Sequence, residues 1–378
     1  MWARTIRAAV VLIAMVAWSA YLVMAQHRGN PPAGNSTPRR LPTWHLTGRD
    51  AEQRRSAMLL RAAFRPDPAD VAALPWRLAP LPDVPAITCR FLNDAPTGTT
   101  AKFNCVLDGG AVLKVKYGRN PEIQGEVAGT RVLRLFGFAA DDVRIVPRLR
   151  CYGCPREPFV ALVASTWTAT RQLLGPGGFD RGYTDFDWVA IERKFPAPAI
   201  ETDLNEGWAW WELTPATAHR ADVDALRLLA VFLAHWDNKA ENQRLVCMDA
   251  ELGEPARDCL KPLAMIQDLG ATFGPTKVNL GRWPTLPMWS DRTRCVVTMK
   301  ALPWGGGTFP DATITEAGRR QIADGLRHIT DAQLRDLFRA ARFPEFQSAT
   351  DDARDLQAWV AAFHERSRQI TEGGPCPQ

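Results

Sequence analysis

Apolar and polar residues alternate along three short stretches in the first third of the chain, a pattern typical of half-buried β-strands. The stretches run from Ile87 to Phe91, from Lys102 to Leu107 and from Ala111 to Tyr117. Polar residues separate them, and Asp108-Gly-Gly110 provides a tight turn before the third stretch. The pattern predicts a meander of three strands.

The period changes to that of a helix after the meander. Apolar residues recur at helical spacing from Glu126 to Phe136, and Gly137 follows in the position of a C-cap. Three further segments have the apolar character of strands: Val143 to Leu149, Pro158 to Ala164 and Trp188 to Phe195.

The chain becomes mainly helical after Pro198. The strongest apolar helix is expected from Asp222 to His235. Two short strands, Gln243 to Met248 and Pro262 to Gln267, are expected to form one hairpin. Together these elements predict an α+β fold with a strand-rich first lobe and a helical second lobe.

Two amphipathic stretches, residues 315–342 and 352–370, complete the second lobe, and Thr315 and Thr330 are expected to be helix N-caps. The predicted organisation has four parts: a signal peptide or signal anchor (1–25), a linker and N-terminal helical extension (26–85), a strand-rich lobe (86–196) and a helical lobe (197–372).

Composition excludes several classes of protein. The chain has 378 residues, of which 46% are hydrophobic and 23% charged, as in ordinary globular domains. The net charge is only +5, and no basic block resembles a nucleic-acid-binding tail. We therefore expect no nucleic acid among its partners.

The N-terminal residues indicate export. Arg4 and Arg7 precede an uncharged run from Ala8 to Ala25, and Val23-Met24-Ala25 has the small-x-small pattern of a cleavage site. A run of this length also allows residues 8–25 to stay in the membrane as an anchor. In either case the rest of the chain is expected to be periplasmic or extracellular.

Cysteine usage agrees with export. All eight cysteines lie beyond residue 25, and an even number outside the cytosol indicates disulfides. Sequence alone does not fix the connectivity. Local spacing favours three pairs, Cys89–Cys105, Cys151–Cys154 and Cys247–Cys259, which leaves Cys295 with Cys376. Zinc or redox chemistry at Cys151-Tyr-Gly-Cys154 is the alternative, but the sequence has no second CxxC motif and no histidine pair at ligand spacing.

A group of motifs in a defined order carries the candidate chemistry. His235-Trp-Asp-Asn-Lys-Ala-Glu-Asn242 matches the H-x-D-x-x-x-x-N pattern of kinase catalytic loops, and Asp268-Leu-Gly270 matches the D-x-G metal site. Upstream, Lys114 lies on the third strand of the meander and Glu126 begins the next helix. This is the order of motifs in kinases.

Each residue type has a chemical reason. Asp237 would orient an attacking hydroxyl and accept its proton, while Lys239 would neutralise charge on the γ-phosphate of ATP. Asn242 and Asp268 offer the hard oxygen ligands that Mg²⁺ or Mn²⁺ prefers. His235 is expected to be a structural hydrogen-bonding residue rather than a base.

Two residues are predicted to act on the other phosphates of ATP. Lys114 would contact the α- and β-phosphates and would be oriented by an ion pair with Glu126. Lys116 lies on the same face of the predicted strand and is the alternative to Lys114.

Three segments resemble the secretory-pathway kinases, the family of the Golgi casein kinase and the xylosylkinase. They are the hairpin from Gly98 to Lys114, the helix from Glu126 to Phe138 and the segment Asp268-Leu-Gly-Ala-Thr-Phe-Gly274. The wider clan includes the HipA toxin kinases and the phosphoinositide kinases. The resemblance covers roughly residues 87 to 300 and implies a bilobal protein-kinase-like fold that uses ATP with Mg or Mn.

The resemblance also assigns the phosphate-covering loop. A G-x-G-x-x-G loop is absent from the sequence, so the segment from Gly98 to Lys102 would have to cover the phosphates in its place, with Gly98 and Thr99 as the predicted nucleotide-binding residues. Residues after about 300 match nothing in that family, so the acceptor does not carry over.

The resulting hypothesis is an exported atypical kinase that transfers the γ-phosphoryl group of ATP to a hydroxyl of a protein or glycan. Two alternatives stay open: a pseudokinase without turnover, and a disulfide-stabilised envelope binding protein. The latter would use Trp208, Trp210 and Trp211 as its binding surface, whereas the simpler interpretation is that these rings pack between the lobes.

Overall fold

The computed structural model describes residues 36–74, 85–94, 97–165, 182–249, 259–302, 309–343 and 356–377. The predicted signal segment lies outside these residues. Within them, the strands are β1 (Thr43–His45), β2 (Ala86–Leu92), β3 (Lys102–Val106), β4 (Val112–Lys116), β5 (Asp142–Tyr152), β6 (Tyr183–Arg193), β7 (Ala199–Glu201), β8 (Gln243–Cys247), β9 (Pro262–Ile266), β10 (Trp289–Asp291), β11 (Val296–Val297) and β12 (Ala312–Thr313). The helices are α1 (Ala51–Arg61), α2 (Pro68–Ala73), α3 (Pro121–Leu135), α4 (Pro158–Ser165), α5 (Arg220–Leu233), α6 (Glu316–His328), α7 (Asp331–Ala340) and α8 (Leu356–Thr371).

The chain divides into two compact units, each assembled from separated segments. Unit 1 consists of residues 1–40, 80–119 and 144–193, and unit 2 consists of residues 41–79, 120–143 and 194–378. The mixed α and β content predicted from the sequence is confirmed, with strands dominating the described part of unit 1 and helices that of unit 2.

Unit 1 is built around a closed five-stranded barrel with the strand order β2-β3-β4-β6-β5. The predicted meander forms its first three strands, in which Phe103 lies opposite Val115 in an antiparallel register. The barrel closes through a parallel pairing of β2 with β5. Apolar side chains and two cystine bridges fill the interior, which excludes water from the inner face of every strand.

Strand alternation decides where the predicted lysine lies. Leu113 and Val115 are fully buried in the barrel core. Because successive side chains of a strand point to opposite faces, Lys114 and Lys116 lie on the outer face of β4.

Unit 2 contains a four-stranded sheet with the order β1-β7-β8-β9. Its β8–β9 hairpin is the one predicted from the sequence, and the Cys247–Cys259 disulfide closes it. Helix α5 is buried along nearly its whole length, and its C-terminal end meets a cluster of aromatic rings: Phe232, Phe273, Trp283, Phe338, Phe343, Trp359 and Phe363. This core fixes the end of α5, from which the candidate catalytic loop begins.

Helix caps follow the sequence prediction. Thr315 accepts a hydrogen bond from the Gly318 main-chain nitrogen at the start of α6. Thr330 accepts one from Gln333 at the start of α7 and completes a capping box with it.

One predicted strand is wrong. Pro158 to Ala164 was expected to be extended, whereas Pro158–Ser165 forms helix α4. Its apolar run is short, so its composition does not distinguish strand from helix. In the structure Ala161 and Leu162 are buried while Val160 and Val163 are exposed, which is a helical rather than an alternating pattern.

The units also group two segments differently from the sequence pattern. Helix α3, which carries Glu126, belongs to unit 2 rather than to the unit that holds the barrel. Residues 41–74, expected within a linker and helical extension, are an integral part of unit 2, where Trp44 of β1 and Met58 of α1 are buried.

The tryptophan cluster packs inside unit 2. Trp208 is fully buried, contacts the Phe64 and Trp210 rings, and donates a hydrogen bond to the Met265 oxygen. Trp211 alone of the three predicted residues is exposed, at 79%. A wall of three tryptophans for binding sugars is therefore not formed.

All four predicted disulfides are present: Cys89–Cys105, Cys151–Cys154, Cys247–Cys259 and Cys295–Cys376. Four disulfides indicate an oxidising, exported environment. None of the helices among the described residues has both the length and the apolar character needed to cross a bilayer.

Candidate active site

The candidate catalytic loop begins where helix α5 ends. Ala234 caps the helix in the left-handed conformation, with φ at 55°, and turns the chain out of the helical path. Residues 235–239 follow in extended and irregular conformations, and a short 3₁₀ turn at Ala240–Asn242 leads into β8. The loop is therefore held by a buried helix at one end and a buried strand at the other.

His235 connects this loop to the segment that carries Asp268. Its ring is completely buried, and Nε2 lies 3.1 Å from the main-chain oxygen of Asp268. A carbonyl oxygen only accepts hydrogen bonds, so Nε2 carries the proton and donates. Burial lowers the pKa of His235 to about 4, so the ring is neutral at physiological pH. The expectation of a structural role for His235 agrees with this geometry.

Gln267 adds two more links between the same segments. Its main-chain nitrogen donates to the Asn242 oxygen at 2.9 Å, and its side-chain nitrogen donates to the Glu241 oxygen at 3.0 Å. The end of β9 and the end of the catalytic loop are thus tied together immediately before Asp268.

Asn242 is buried and oriented by Asp237. Its Nδ2 atom donates a hydrogen bond to the main-chain oxygen of Asp237 at 2.9 Å. Since the amide nitrogen has this role, the Oδ1 oxygen is the atom that remains for a cation.

Asp237 is half-buried, and the Lys239 ammonium nitrogen lies 3.9 Å from its Oδ1 atom. Burial raises the pKa of the Asp237 carboxyl above its ordinary value. Lys239 and Asn242 oppose this shift, whereas the negative charges of Asp268 and Glu122 add to it. The negative charges of two further carboxylates, Asp268 and Glu122, therefore act on the Asp237 carboxyl.

Asp268 has a left-handed backbone, with φ at +44°. Such a conformation costs a non-glycine residue on the order of 1–3 kcal/mol, although aspartate tolerates it better than most residues. The surrounding hydrogen bonds from Gln267 and His235 hold the chain in this conformation.

Helix α3 lies against the Asp-Leu-Gly segment through glycines. A Cβ atom at Gly125 would lie 2.6 Å from the Gly270 oxygen, and one at Gly129 would lie 2.9 Å from Leu269 Cβ. Neither distance is possible for a real side chain, so glycine is required at these positions. The helix that carries Glu126 can approach the Asp268 segment only because it has no side chain at Gly125, facing the Gly270 oxygen, or at Gly129, facing the Leu269 side chain.

The same helix brings a second carboxylate that the sequence analysis did not select. Glu122 lies one turn before Glu126, and a Cβ atom at Gly270 would lie 3.0 Å from Glu122 Cβ. Lys277 forms an ion pair with Glu122 at 2.8 Å. The i, i+4 spacing of Glu122 and Glu126 is a sequence signal for a shared helix face, but nothing in the local sequence points to Lys277. Glu126 itself is buried.

In unit 1, Lys114 forms an ion pair with Glu192 on the adjacent strand. The two residues are opposite each other in the β4–β6 register, and Lys114 Nζ lies 2.5 Å from Glu192 Oε2. The Glu192 side chain is only 3% exposed, against 21% for Lys114. Lys116, the alternative to Lys114, is more deeply buried than Lys114. The predicted Lys114–Glu126 pair concerns residues of different units and stays a prediction.

Gly98 and Thr99 form an exposed turn before β3. Gly98 has φ at +83°, and a Cβ atom there would lie 3.0 Å from the Lys102 ammonium nitrogen. The glycine thus leaves room for the buried Lys102, the last residue of the segment expected to cover the phosphates.

The structure brings four of the eight predicted site residues together through contacts or charge interactions: Asp237, Lys239, Asn242 and Asp268. Glu126 lies on the helix that packs against the Asp268 segment. Lys114, Gly98 and Thr99 belong to unit 1. Cys247, Asp249 and Cys259 also lie close enough to share a cation, but both sulfurs are in a disulfide.

No family model and no curated protein sequence matches this chain. One solved structure, that of the proinflammatory kinase CtkA from Helicobacter pylori, aligns over 76% of this chain and 96% of its own length, with 8% identity and a TM-score of 0.41. A score and an identity this low assign neither a family nor an activity to the chain.

Proposed function

We propose that the protein is an exported kinase that transfers the γ-phosphoryl group of ATP to a hydroxyl of a protein or glycan. The observation that carries the proposal is the convergence of Asp237, Asn242 and Asp268 in unit 2, joined through His235 and Gln267. These residues occur in the sequence order of a kinase site, and the local architecture supports that order: a helix, a catalytic loop, a hairpin and an Asp-x-Gly turn.

The donor set fits Mg²⁺ or Mn²⁺. Asp268 offers carboxylate oxygens and Asn242 offers an amide oxygen whose companion nitrogen is already engaged with Asp237. Divalent cations of this class prefer such hard oxygen ligands. When bound, the metal would neutralise negative charge on the phosphate oxygens during transfer.

Asp237 has the properties of the proton acceptor. Its carboxylate is half-buried beside a cation, and its raised pKa makes it a better base than an exposed aspartate. In the proposed reaction the acceptor hydroxyl oxygen forms a bond to the γ-phosphorus and its proton goes to Asp237. The bond from the γ-phosphorus to the bridging oxygen breaks, and ADP leaves with the electron pair. Lys239 would stabilise the charge on the transferred group.

The remaining predicted residues are assigned to nucleotide binding. Lys114 would contact the α- and β-phosphates, with Glu192 keeping its ammonium group in place through the 2.5 Å ion pair. Gly98 and Thr99 would cover the phosphates through their main-chain nitrogens, which an exposed turn with a glycine at positive φ presents without steric hindrance. Glu126 would act on Lys114 as in the sequence-based assignment.

The test uses the mature chain with ATP and Mn²⁺ or Mg²⁺. We expect a metal-dependent thermal shift with ATP that disappears in Asp268→Ala, and labelling of an acceptor in an envelope extract with γ-labelled ATP. Asp237→Ala is expected to retain the fold while kcat falls by roughly three orders of magnitude or more. Asp331→Asn, which changes an exposed aspartate of α7, is the matched control and should label as wild type does.

The outcomes separate the alternatives. Equal labelling by wild type and Asp237→Ala contradicts the catalytic assignment. A metal-dependent ATP shift without any turnover indicates a pseudokinase. No shift with either metal contradicts nucleotide binding altogether and leaves the disulfide-stabilised binding protein.

A further inference from the structure

Arg366, on the C-terminal helix α8, is completely buried and makes four hydrogen bonds to main-chain oxygens. Nε donates to Phe232 at 2.7 Å and Nη2 donates to Val231 at 2.7 Å. Nη1 donates to Trp283 at 2.7 Å and to Leu286 at 2.8 Å. One planar guanidinium group therefore connects the end of helix α5 to the segment at residues 283–286.

Two of these acceptors are in the last turn of α5, where carbonyl groups lack partners within the helix. The other donors at this end are the main-chain nitrogens of Ala234, His235 and Phe273 and the indole nitrogen of Trp283. Every carbonyl from Ala230 to Leu233 is thereby satisfied, and Arg366 serves two of the four.

The charge of Arg366 is balanced by dipoles rather than by a carboxylate. Among the described residues no acidic group pairs with it, while its guanidinium carbon lies 5.8 Å from the Phe232 ring centre and 5.5 Å from that of Trp283. Burial lowers the pKa of Arg366 to about 9, which is still above neutral pH, so the group stays cationic. A cation at a helix C-terminus interacts favourably with the helix dipole.

We infer that Arg366 is a positioning residue for the catalytic loop, acting through the last turn of α5. The loop leaves the helix at Ala234, one residue after the turn that Arg366 holds, and reaches Asp237 three residues later. The effect on turnover rests on the proposed function. The effect on the loop backbone does not, because it follows from the hydrogen bonds alone.

A lysine at this position would keep the charge but not the contacts. Its ammonium group has three donors at one point, whereas the guanidinium fork reaches four oxygens on two segments. Arg366→Met, which fills similar space without a donor, should loosen the backbone at the start of the catalytic loop fully. Arg366→Lys is expected to loosen it to an intermediate degree. Arg319→Met is the matched control, because Arg319 is also buried and donates to a main-chain oxygen of α8, that of Ile370, while its other hydrogen bonds among the described residues go to Glu316 rather than to α5.

The primary measurement is hydrogen exchange of the full chain under native conditions. In Arg366→Met we expect the amides of Ala234, His235 and Phe273 to exchange at least about tenfold faster than in wild type, with the amides of the β8–β9 hairpin unchanged. Arg319→Met should leave these three amides as in wild type. Uniform acceleration along the whole chain, or the same local change in Arg319→Met, would overturn the inference.

Turnover provides the second measurement. With the proposed activity present, Arg366→Met should lower kcat roughly 10- to 100-fold with the KM for ATP changed less than about threefold, because a displaced proton acceptor affects the transfer step rather than ground-state binding. Arg366→Lys should recover part of the loss. If wild type shows no turnover, the proposed function fails while the exchange result still decides the positioning role. Unchanged kcat in Arg366→Met, beside an active wild type, would contradict that role.

Discussion

The Nε2 atom of His235 lies 3.1 Å from the main-chain oxygen of Asp268, and this contact joins the catalytic loop to the Asp-Leu-Gly turn. The contact requires a proton on Nε2, which both the neutral ring and the imidazolium carry. It also occurs in a fully buried position, where a positive charge is expensive. Protonation of His235 should therefore destabilise the folded state in which this contact forms.

We predict that this linkage appears as acid sensitivity of the fold. Burial lowers the His235 pKa from 6.5 to about 4. The unfolded chain therefore binds a proton between these values while the folded chain does not. Stability is fully present above pH 6.5 and is lost as the pH falls to about 4, by roughly 3 kcal/mol. Urea midpoints at several pH values across this window measure the loss.

His235→Gln is the control for this prediction. The glutamine amide nitrogen reaches about as far as Nε2 and donates without titrating. The variant should lose some stability at pH 7.5 but depend less on pH between 6.5 and 4. If wild type and His235→Gln show the same pH dependence, another group is responsible for it.

A second prediction concerns the packing of helix α3 against the site. Alanine at Gly125 would gain up to about 1 kcal/mol of helix propensity. Its Cβ atom, however, would lie 2.6 Å from the Gly270 oxygen, so the helix must move away from the Asp268 segment. Overpacking of this kind typically costs about 1–3 kcal/mol. We expect lower stability and weaker Mn²⁺ binding, measured by denaturation and by calorimetric titration.

Gly281→Ala is the matched control for this variant. The nearest atom to a Cβ at Gly281 is 3.8 Å away, an ordinary contact distance. Stability and Mn²⁺ affinity should both stay close to wild type. Weakened Mn²⁺ binding in Gly281→Ala, or unchanged binding in Gly125→Ala, would show that this packing does not set the metal site.

Elements with local signals could be predicted from the sequence. The meander, the β8–β9 hairpin and the caps at Thr315 and Thr330 follow from alternation, turns and side-chain hydrogen bonding over a few residues. Three of the four disulfides join cysteines that are near in sequence, and the fourth follows as the remaining pair. Asp237, Asn242 and Asp268 could also be predicted from the sequence, because the motifs H-x-D-x-x-x-x-N and D-x-G that contain them are each only a few residues long.

Contacts that depend on tertiary structure could not be predicted in this way. Glu192 meets Lys114 only because β6 pairs with β4, and a strand's sequence does not name its neighbour. Arg366 reaches α5 from the far end of the chain, so no local pattern reveals it. The prediction of a strand at α4 was wrong for a different reason, because a short apolar run is compatible with both the helical and the strand period.

A third prediction concerns the Lys114–Glu192 pair. Lys114→Met removes the cation 2.5 Å from a carboxylate that is only 3% exposed, and this should cost about 3 kcal/mol or more. Glu192→Gln leaves a lysine that is 21% exposed and can turn toward water, so its cost should be nearer 1 kcal/mol. The double variant Lys114→Met/Glu192→Gln should be more stable than Lys114→Met alone. Additive losses in denaturant melts would show that the pair does not couple the two side chains.

A fourth prediction concerns the charge of Glu122. Its negative charge contributes to the raised pKa of Asp237. Glu122→Gln should therefore lower the Asp237 pKa and move the acidic limb of the pH–rate profile to lower pH. Glu365→Gln on the exposed face of α8 provides the control, because among the described residues Glu365 pairs with Arg368 at the surface. An unchanged or upward shift in Glu122→Gln would show that Glu122 does not act on the base.

The fifth prediction orders the disulfides by the chain they close. Cys295–Cys376 links residues 81 positions apart, whereas Cys151–Cys154 links residues three apart. Loop-closure entropy then gives a loss of about 4.5 kcal/mol for Cys295→Ala/Cys376→Ala and about 2 kcal/mol for Cys151→Ala/Cys154→Ala. Denaturant melts of the two double variants measure the difference, and equal losses of stability would show that native contacts rather than chain entropy set the contribution of each bridge.

Because Cys376 follows α8, the first variant should also free the end of that helix, while Arg366 keeps its contacts with α5. Exchange at Ala234 and His235 should therefore stay slow in Cys295→Ala/Cys376→Ala, and fast exchange there would mean that the disulfide, not the arginine, holds the catalytic loop.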